Sequence, residues 1–172
     1  MICIYRYSSP VGRIVLAGNC DGLTGLWFEE QKYFGSTLPE TYEEIDDPDL
    51  QPVFRDAICW LDQYFQGKVP EILPKLCPEG SPFRKMIWEI LLTIPYGQTR
   101  TYGEIAAIAA KRMGRDNMSA QAVGGAVGHN PISLMIPCHR VLGADGMLTG
   151  YAGGLDKKQY LLKLEGIAIS LH

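Results

Sequence analysis

The chain has 172 residues, with 16 Lys and Arg against 19 Asp and Glu and a formal charge of −3. At roughly 100–200 residues per domain, that length holds one large domain or two small ones. An apolar fraction of 47% and a charged fraction of 20% exclude a disordered or fibrous chain, and no apolar run approaches the ~18 residues of a membrane helix. The segment Met1 to Tyr7 has no basic region followed by an apolar core, so it does not read as a secretory signal. The expectation is a soluble, cytoplasmic protein with no membrane partner.

The charge is unevenly spread. Residues 1–80 carry 6 basic and 13 acidic side chains, and residues 81–172 carry 10 basic and 6 acidic. This predicts two domains, 1–80 and 81–172, with any polyanion contact on the second. The five cysteines form no C-x-x-C pair, and the histidines are His129, His139 and His172. An odd cysteine count without a signal segment argues against a disulfide framework, and no structural metal is expected. Cys3, Cys20, Cys59 and Cys77 read as buried or half-buried small apolar residues.

The first segment reads as a meander of antiparallel strands. Ile2, Ile4 and Val15 lie in short alternating runs around the turn Ser8-Ser9-Pro10-Val11-Gly12. Asn19-Cys20-Asp21-Gly22 is a second turn, and Leu23 to Phe28 a third strand. Residues 36–52 are acidic, hold three prolines and read as a loop. Pro52 to Phe65 reads as a helix with Phe54, Ile58, Leu61 and Phe65 inward, and Gly67 stops it. The proline-rich stretch Val69 to Pro82 reads as a linker.

From Ser81 the pattern becomes helical. Ser81-Pro82 starts a helix with Phe83, Ile87, Ile90 and Leu91 on its apolar face, and Pro95-Tyr96-Gly97 ends it. Thr101 caps the next helix, with Glu104 completing a capping box and Ile105, Ile108 and Ala109 inward. A polar turn around Gly114 leads to a third helix, capped by Ser119 and running from Ala120 to about His129. Two helices across such a turn have a helix-turn-helix outline. Within the third helix, Gly124, Gly125 and Gly128 each cost about 1 kcal/mol relative to Ala. Small residues let a helix lie flush against something, either a neighbouring helix or a narrow nucleic-acid groove.

Asn130-Pro131 ends that helix, and the apolar run Ile132 to Ile136 leads into Pro137-Cys138-His139-Arg140-Val141. A thiol with an imidazole and a guanidinium next to it has the cationic neighbours that enrich thiolate, the nucleophilic form. The last helix, Leu155 to Leu164, ends at Glu165, where a carboxylate opposes the helix dipole unless it orients a cation. His139 is the obvious partner, giving Cys138–His139–Glu165 in the order nucleophile, base, orienter.

The blocks Ile94-Pro95-Tyr96-Gly97, Thr101-Tyr102-Gly103-Glu104-Ile105-Ala106, Ala122-Val123-Gly124, Asn130-Pro131, Ile136 to Val141, Gly150-Tyr151-Ala152-Gly153-Gly154 and Glu165-Gly166 run through most of the second half. With them the chain resembles the O6-alkylguanine-DNA alkyltransferases, also called methylated-DNA–protein-cysteine methyltransferases. The resemblance implies an α/β N-terminal ribonuclease-H-like domain and a mostly α C-terminal domain with a winged-helix-like helix-turn-helix. It also implies suicidal repair of double-stranded DNA by a monomer without a cofactor. The recognition helix enters the minor groove, the alkylated guanine flips out, and the alkyl group moves from O6 to Cys138 in a single turnover, with O4-alkylthymine a further candidate substrate.

Residue by residue, the resemblance makes His139 the acceptor of the thiol proton, through a water, and Glu165 the holder of its ring. Tyr102 donates toward guanine N3. The Ala152 backbone N–H lies near O6, and the carbonyls of Cys138 and Val141 accept from the guanine amino group. Tyr151 walls the pocket and Asn130 braces the turn. Gln121, Ala122 and Gly125 fall on the recognition helix, with Gln121 where an arginine is usual. Arg140 is counted with the DNA-binding set, as the motif arginine and a brace. The animal enzymes' zinc ligands have no counterparts here, Asn19 standing in one such place. Three rivals remain open: a non-enzymatic alkylated-DNA binding protein, a cysteine hydrolase or acyltransferase using the same three residues, and a major-groove regulator.

Overall fold

The computed structural model describes residues 1–169, so His172 lies outside the described residues. The chain forms two compact units. The first holds Met1–Glu79 together with Pro131–Ser133, and the second Gly80–Asn130 and the residues from Leu134 onward.

In the first unit, β1 (Cys3–Ser9), β2 (Gly12–Asn19) and β3 (Gly22–Phe28) form the expected antiparallel meander. The acidic stretch is not wholly loop, however. Glu43–Glu44 forms a short β4, parallel to β1, giving the sheet order β3-β2-β1-β4, and Pro48–Leu50 makes a 3-10 turn capped by Asp47. β2 is central, and Ile14 to Ala17 are all fully buried because both sheet faces are covered. Ile4, Val15, Ala17 and Trp27 pack on one face with Ile2 and Leu38. The opposite face meets α1 (Pro52–Phe65), where the Tyr5 and Phe54 rings lie 6.1 Å apart.

α1 has the predicted bounds but not the predicted face. Phe54, Ala57, Trp60, Leu61 and Tyr64 are buried, whereas Ile58 and Phe65 are only half-buried. The stacked Trp60 and Tyr64 rings, 5.1 Å apart, rotate the buried stripe toward the aromatic side chains, which bury the most area. The supposed linker also takes part in the fold: Leu23 N donates to Lys75 O and Cys77 N to Leu23 O. Farther along β3, Leu26 N donates to Pro131 O and Ser133 N to Leu26 O, both at 2.9 Å. Cys3 is buried and Cys77 half-buried, but Cys20 and Cys59 are exposed, contrary to the sequence reading.

The second unit is built on α2 (Pro82–Leu92), α3 (Tyr102–Arg112) and α4 (Ala120–Gly128). Each has the serine or threonine cap read from the sequence: Ser81 accepts from Arg84 N, Thr101 from Glu104 N and Ser119 from Ala122 N. Trp88 joins α2 to α4 by donating from Nε1 to Ala126 O at 2.9 Å while almost fully buried. On α3, Ile105 and Ala109 are buried, but Ile108 is 37% exposed, and Ala106 and Ala110 take its place in the core. α5 (Leu155–Leu164) closes the unit. No helix among the described residues is long and apolar enough to cross a membrane.

Candidate active site

The segment after α4 is folded by its own side chains. Asn130 Nδ2 donates to Ile136 O at 2.8 Å, and Cys138 N donates to the same carbonyl at 2.7 Å. Leu134, fully buried, holds a left-handed backbone with φ 75°, a conformation that costs on the order of 1–3 kcal/mol in a non-glycine residue and gathers at functional sites. Pro137 then starts a 3-10 turn, Cys138–Arg140, that holds the candidate nucleophile Cys138. β6 (Val141–Leu142) follows and pairs in parallel with β5 (Arg100–Thr101). Because β5 leads directly into α3, this pairing brings Tyr102 beside the turn. Burial raises the Tyr102 pKa, and the charge of Cys138 adds to the rise.

Glu165 sits at the end of α5 and resolves the conflict with the helix dipole. Its Oε2 accepts from His139 Nε2 at 2.6 Å, and its Oε1 accepts from Arg140 Nε at 2.8 Å and from Gly97 N at 3.0 Å. Burial alone would raise its pKa, but the bonds and charges of His139 and Arg140 outweigh it and bring it down to about 2. Glu165 is therefore a carboxylate and cannot donate, so the 2.6 Å bond carries the Nε2 proton of His139. That leaves Nδ1 as the basic nitrogen of a neutral ring. Burial keeps the ring neutral by lowering the His139 pKa against the pull of Glu165. Burial likewise raises the Cys138 thiol, only partly offset by Asn130, Lys158 and nearby backbone N–H groups. The resting site is a thiol, a neutral imidazole and a carboxylate.

Arg140 is placed differently from its grouping with the DNA contacts. It is 7% exposed, bonded to Glu165 and, through one terminal guanidinium nitrogen, to Ile94 O at 2.8 Å, with its guanidinium 5.7 Å from the Tyr96 ring centroid. A side chain so enclosed serves as a brace. Gln121, Ala122 and Gly125 are exposed on α4, and a Cβ at Gly124, Gly125 or Gly128 would meet nothing within 4 Å. The glycines are therefore not explained by tight helix packing within the described residues.

The loop between β6 and α5 carries Tyr151 and Ala152, both half-buried. Burial and the neighbouring Cys138 hold the Tyr151 phenol well above its ordinary range, so it stays protonated. The two carbonyls expected to face a base each accept one bond already, Cys138 O from Val141 N and Val141 O from Lys158 Nζ, and each keeps a second lone pair. Sequence reasoning misses Lys158, along with Gly97 and Ile94, whose contributions are backbone groups. A signal for Lys158 exists: it precedes Leu161, Leu162 and Glu165 on the buried stripe of α5, where a surface lysine has no place.

Two family models match the chain. The one described as 6-O-methylguanine DNA methyltransferase, ribonuclease-like domain, covers residues 3–74, and the one described as 6-O-methylguanine DNA methyltransferase, DNA binding domain, covers residues 82–167. A methylated-DNA–protein-cysteine methyltransferase of Methanosarcina acetivorans is 46% identical over 160 residues, which is 93% of this chain and 96% of that protein. A crystal structure of the Mycobacterium tuberculosis O6-methylguanine methyltransferase superposes with a TM-score of 0.78 at 42% identity, covering 96% of this chain and 93% of that one. A crystal structure of Mycobacterium tuberculosis OGT in complex with DNA gives 0.79 at 40% identity, with coverage of 95% and 92%.

Proposed function

This chain belongs to the 6-O-methylguanine DNA methyltransferase family, and from that premise we propose that it repairs O6-alkylguanine in DNA by taking the alkyl group onto its own Cys138, once per molecule. The observation that carries the assignment is a buried Cys138 followed in the chain by a buried neutral His139, whose tautomer an ionised Glu165 fixes. A protein that only bound lesions would have no use for a thiol at this position, and the presence of Cys138 tells against the non-enzymatic alternative.

In the reaction His139 takes the thiol proton on Nδ1, through a water, and Glu165 offsets the imidazolium charge. The sulfur lone pair attacks the alkyl carbon, a C–S bond forms and the C–O6 bond breaks. The electron pair passes into the purine, which takes a proton at N3 from the Tyr102 phenol. Burial keeps that phenol protonated until then. The carbonyls of Cys138 and Val141 accept from the guanine amino group with their second lone pairs. The Ala152 N–H lies near O6, Tyr151 walls the pocket and Asn130 braces the turn. Cys138 is 4% exposed, so the side chains over the sulfur move aside as the base enters. The thioether has no hydrolysis route, which makes the reaction stoichiometric.

On the DNA side, α3 and α4 form a winged-helix-like helix-turn-helix. α4 lies in the minor groove, about 6 Å wide, and the open space at its glycines supports that reading. Gln121 meets the gap left by the flipped base, which it can hydrogen-bond but not charge-neutralise. The protein works as a cytoplasmic monomer on double-stranded DNA. The test is transfer of labelled methyl from an O6-methylguanine duplex. One equivalent at most should appear on Cys138, and none on Cys138→Ala; label retained by that variant, or repeated turnover, would overturn the assignment.

A further inference from the structure

Lys158 is fully buried, yet no carboxylate bonds to it among the described residues. Its Nζ donates to three carbonyls, Val141 O and Thr149 O at 2.6 Å and Gly150 O at 3.1 Å. An ammonium has three protons, and here each has one acceptor. A neutral amine has two protons and a lone pair, which would face a carbonyl oxygen. The arrangement is complete only in the charged form.

The three acceptors belong to two separate segments. Val141 begins the strand that leaves the Cys138–Arg140 turn, and Thr149 and Gly150 lead into Tyr151 and Ala152. We propose that Lys158 is a positioning residue whose ammonium clamps the Tyr151–Ala152 loop to the nucleophile turn, and that alkyl transfer requires this clamp closed, so loss of the Lys158 proton shuts the reaction on the alkaline side. The proposal rests on the reading of Cys138 as the acceptor.

The ionisable groups around Lys158 set the direction of the effect. Cys138 and His139 lie on the turn, Tyr151 on the loop, and Tyr102 reaches Thr149 from the start of α3. At the end of its own helix, Glu165 is committed to His139 and Arg140. Burial pushes the Lys158 pKa down to about 8, and the charge of Cys138 opposes that shift. The thiol pKa is raised, so its own titration would make the rate climb through the same window. A fall there has a different source.

The experiment is the single-turnover rate of methyl transfer from an O6-methylguanine duplex, measured from about pH 6 to about pH 9.5 for the wild type, Lys158→Met and Lys158→Arg. In the wild type the rate should fall with a midpoint near 8. Lys158→Met should be slowed about tenfold or more at neutral pH and lose the alkaline limb, while Lys158→Arg should restore much of the rate and move the fall beyond the range. A second measurement does not depend on the variants folding: carbon NMR of the lysine side chains in the wild type should show one lysine titrating near 8, with the Thr149 and Gly150 amides shifting at the same midpoint. A wild-type rate that rises steadily through this window, a Lys158→Met profile matching the wild type, or lysines that all titrate near the ordinary 10.5 would each overturn the clamp. Failure of the underlying reading would look different, as no label on Cys138 at any pH.

Discussion

Replacing Glu165 with Gln keeps the shape of the side chain and removes its charge, and the effect follows from the three bonds it accepts. The amide oxygen can still serve Arg140 and Gly97, which leaves the NH2 group facing His139 Nε2. Two donors cannot share a proton position, so the imidazole proton moves to Nδ1 and the basic nitrogen turns toward residue 165. General-base assistance is worth about 10²–10⁴ in rate, and Glu165→Gln should lose a factor in that range. Stability should fall as well. The bonds and charges of His139 and Arg140 hold the carboxylate pKa below its ordinary 4.5, at about 2, and such a shift is a contribution to stability. A depressed carboxylate pKa stabilises the fold above about pH 4.5, and that contribution is lost as the pH falls toward 2. The stability gap between wild type and variant should thus be full at neutral pH and close on acidification. Rapid-quench transfer kinetics and urea unfolding, at neutral pH and at about pH 3, measure both. A variant within about threefold of the wild-type rate, or a gap of the same size at both pH values, would refute the relay.

Gly125→Ala separates fold from function: with nothing within 4 Å of the added Cβ, it should stabilise the protein by about 0.5–1 kcal/mol yet weaken binding to duplex DNA. Unchanged affinity in a mobility-shift titration would argue against close approach of α4 to the groove. Gly25→Ala puts a Cβ 2.1 Å from the Trp27 ring, so the ring must shift, with a loss of about 1–3 kcal/mol and a changed near-UV signal; a wild-type melting curve would contradict this packing. Trp88→Phe removes the donor to Ala126 O and should lower stability by about 1–3 kcal/mol, read as a lower urea midpoint with an unchanged slope. A shift below about 0.5 kcal/mol would mean the bond contributes nothing net.

The elements that local chemistry controls are legible in the residues themselves. Ser81, Thr101 and Ser119 each satisfy an amide three residues ahead, so their role is written within one turn of chain. Turn residues bound the strands in the same way, and the Pro-Cys-His-Arg block points to the candidate nucleophile because the relevant side chains are adjacent in sequence. Long-range outcomes are not legible. The buried stripe of α1 is set by the sheet it covers, so Ile58 and Ala57 exchange places relative to the spacing. What Arg140 bonds to is not legible because its acceptors, Glu165 and Ile94, lie 25 and 46 positions away. The spacing of α5 puts Lys158 on the buried stripe but does not show what it bonds to, since its carbonyls lie 17, 9 and 8 positions back. A charged side chain is exposed by default, and it stays buried only where folding delivers enough acceptors to replace its water. Residue type and spacing determined which groups could do chemistry here; the tertiary fold alone decided which charges left solvent, and with that the protonation state of the site.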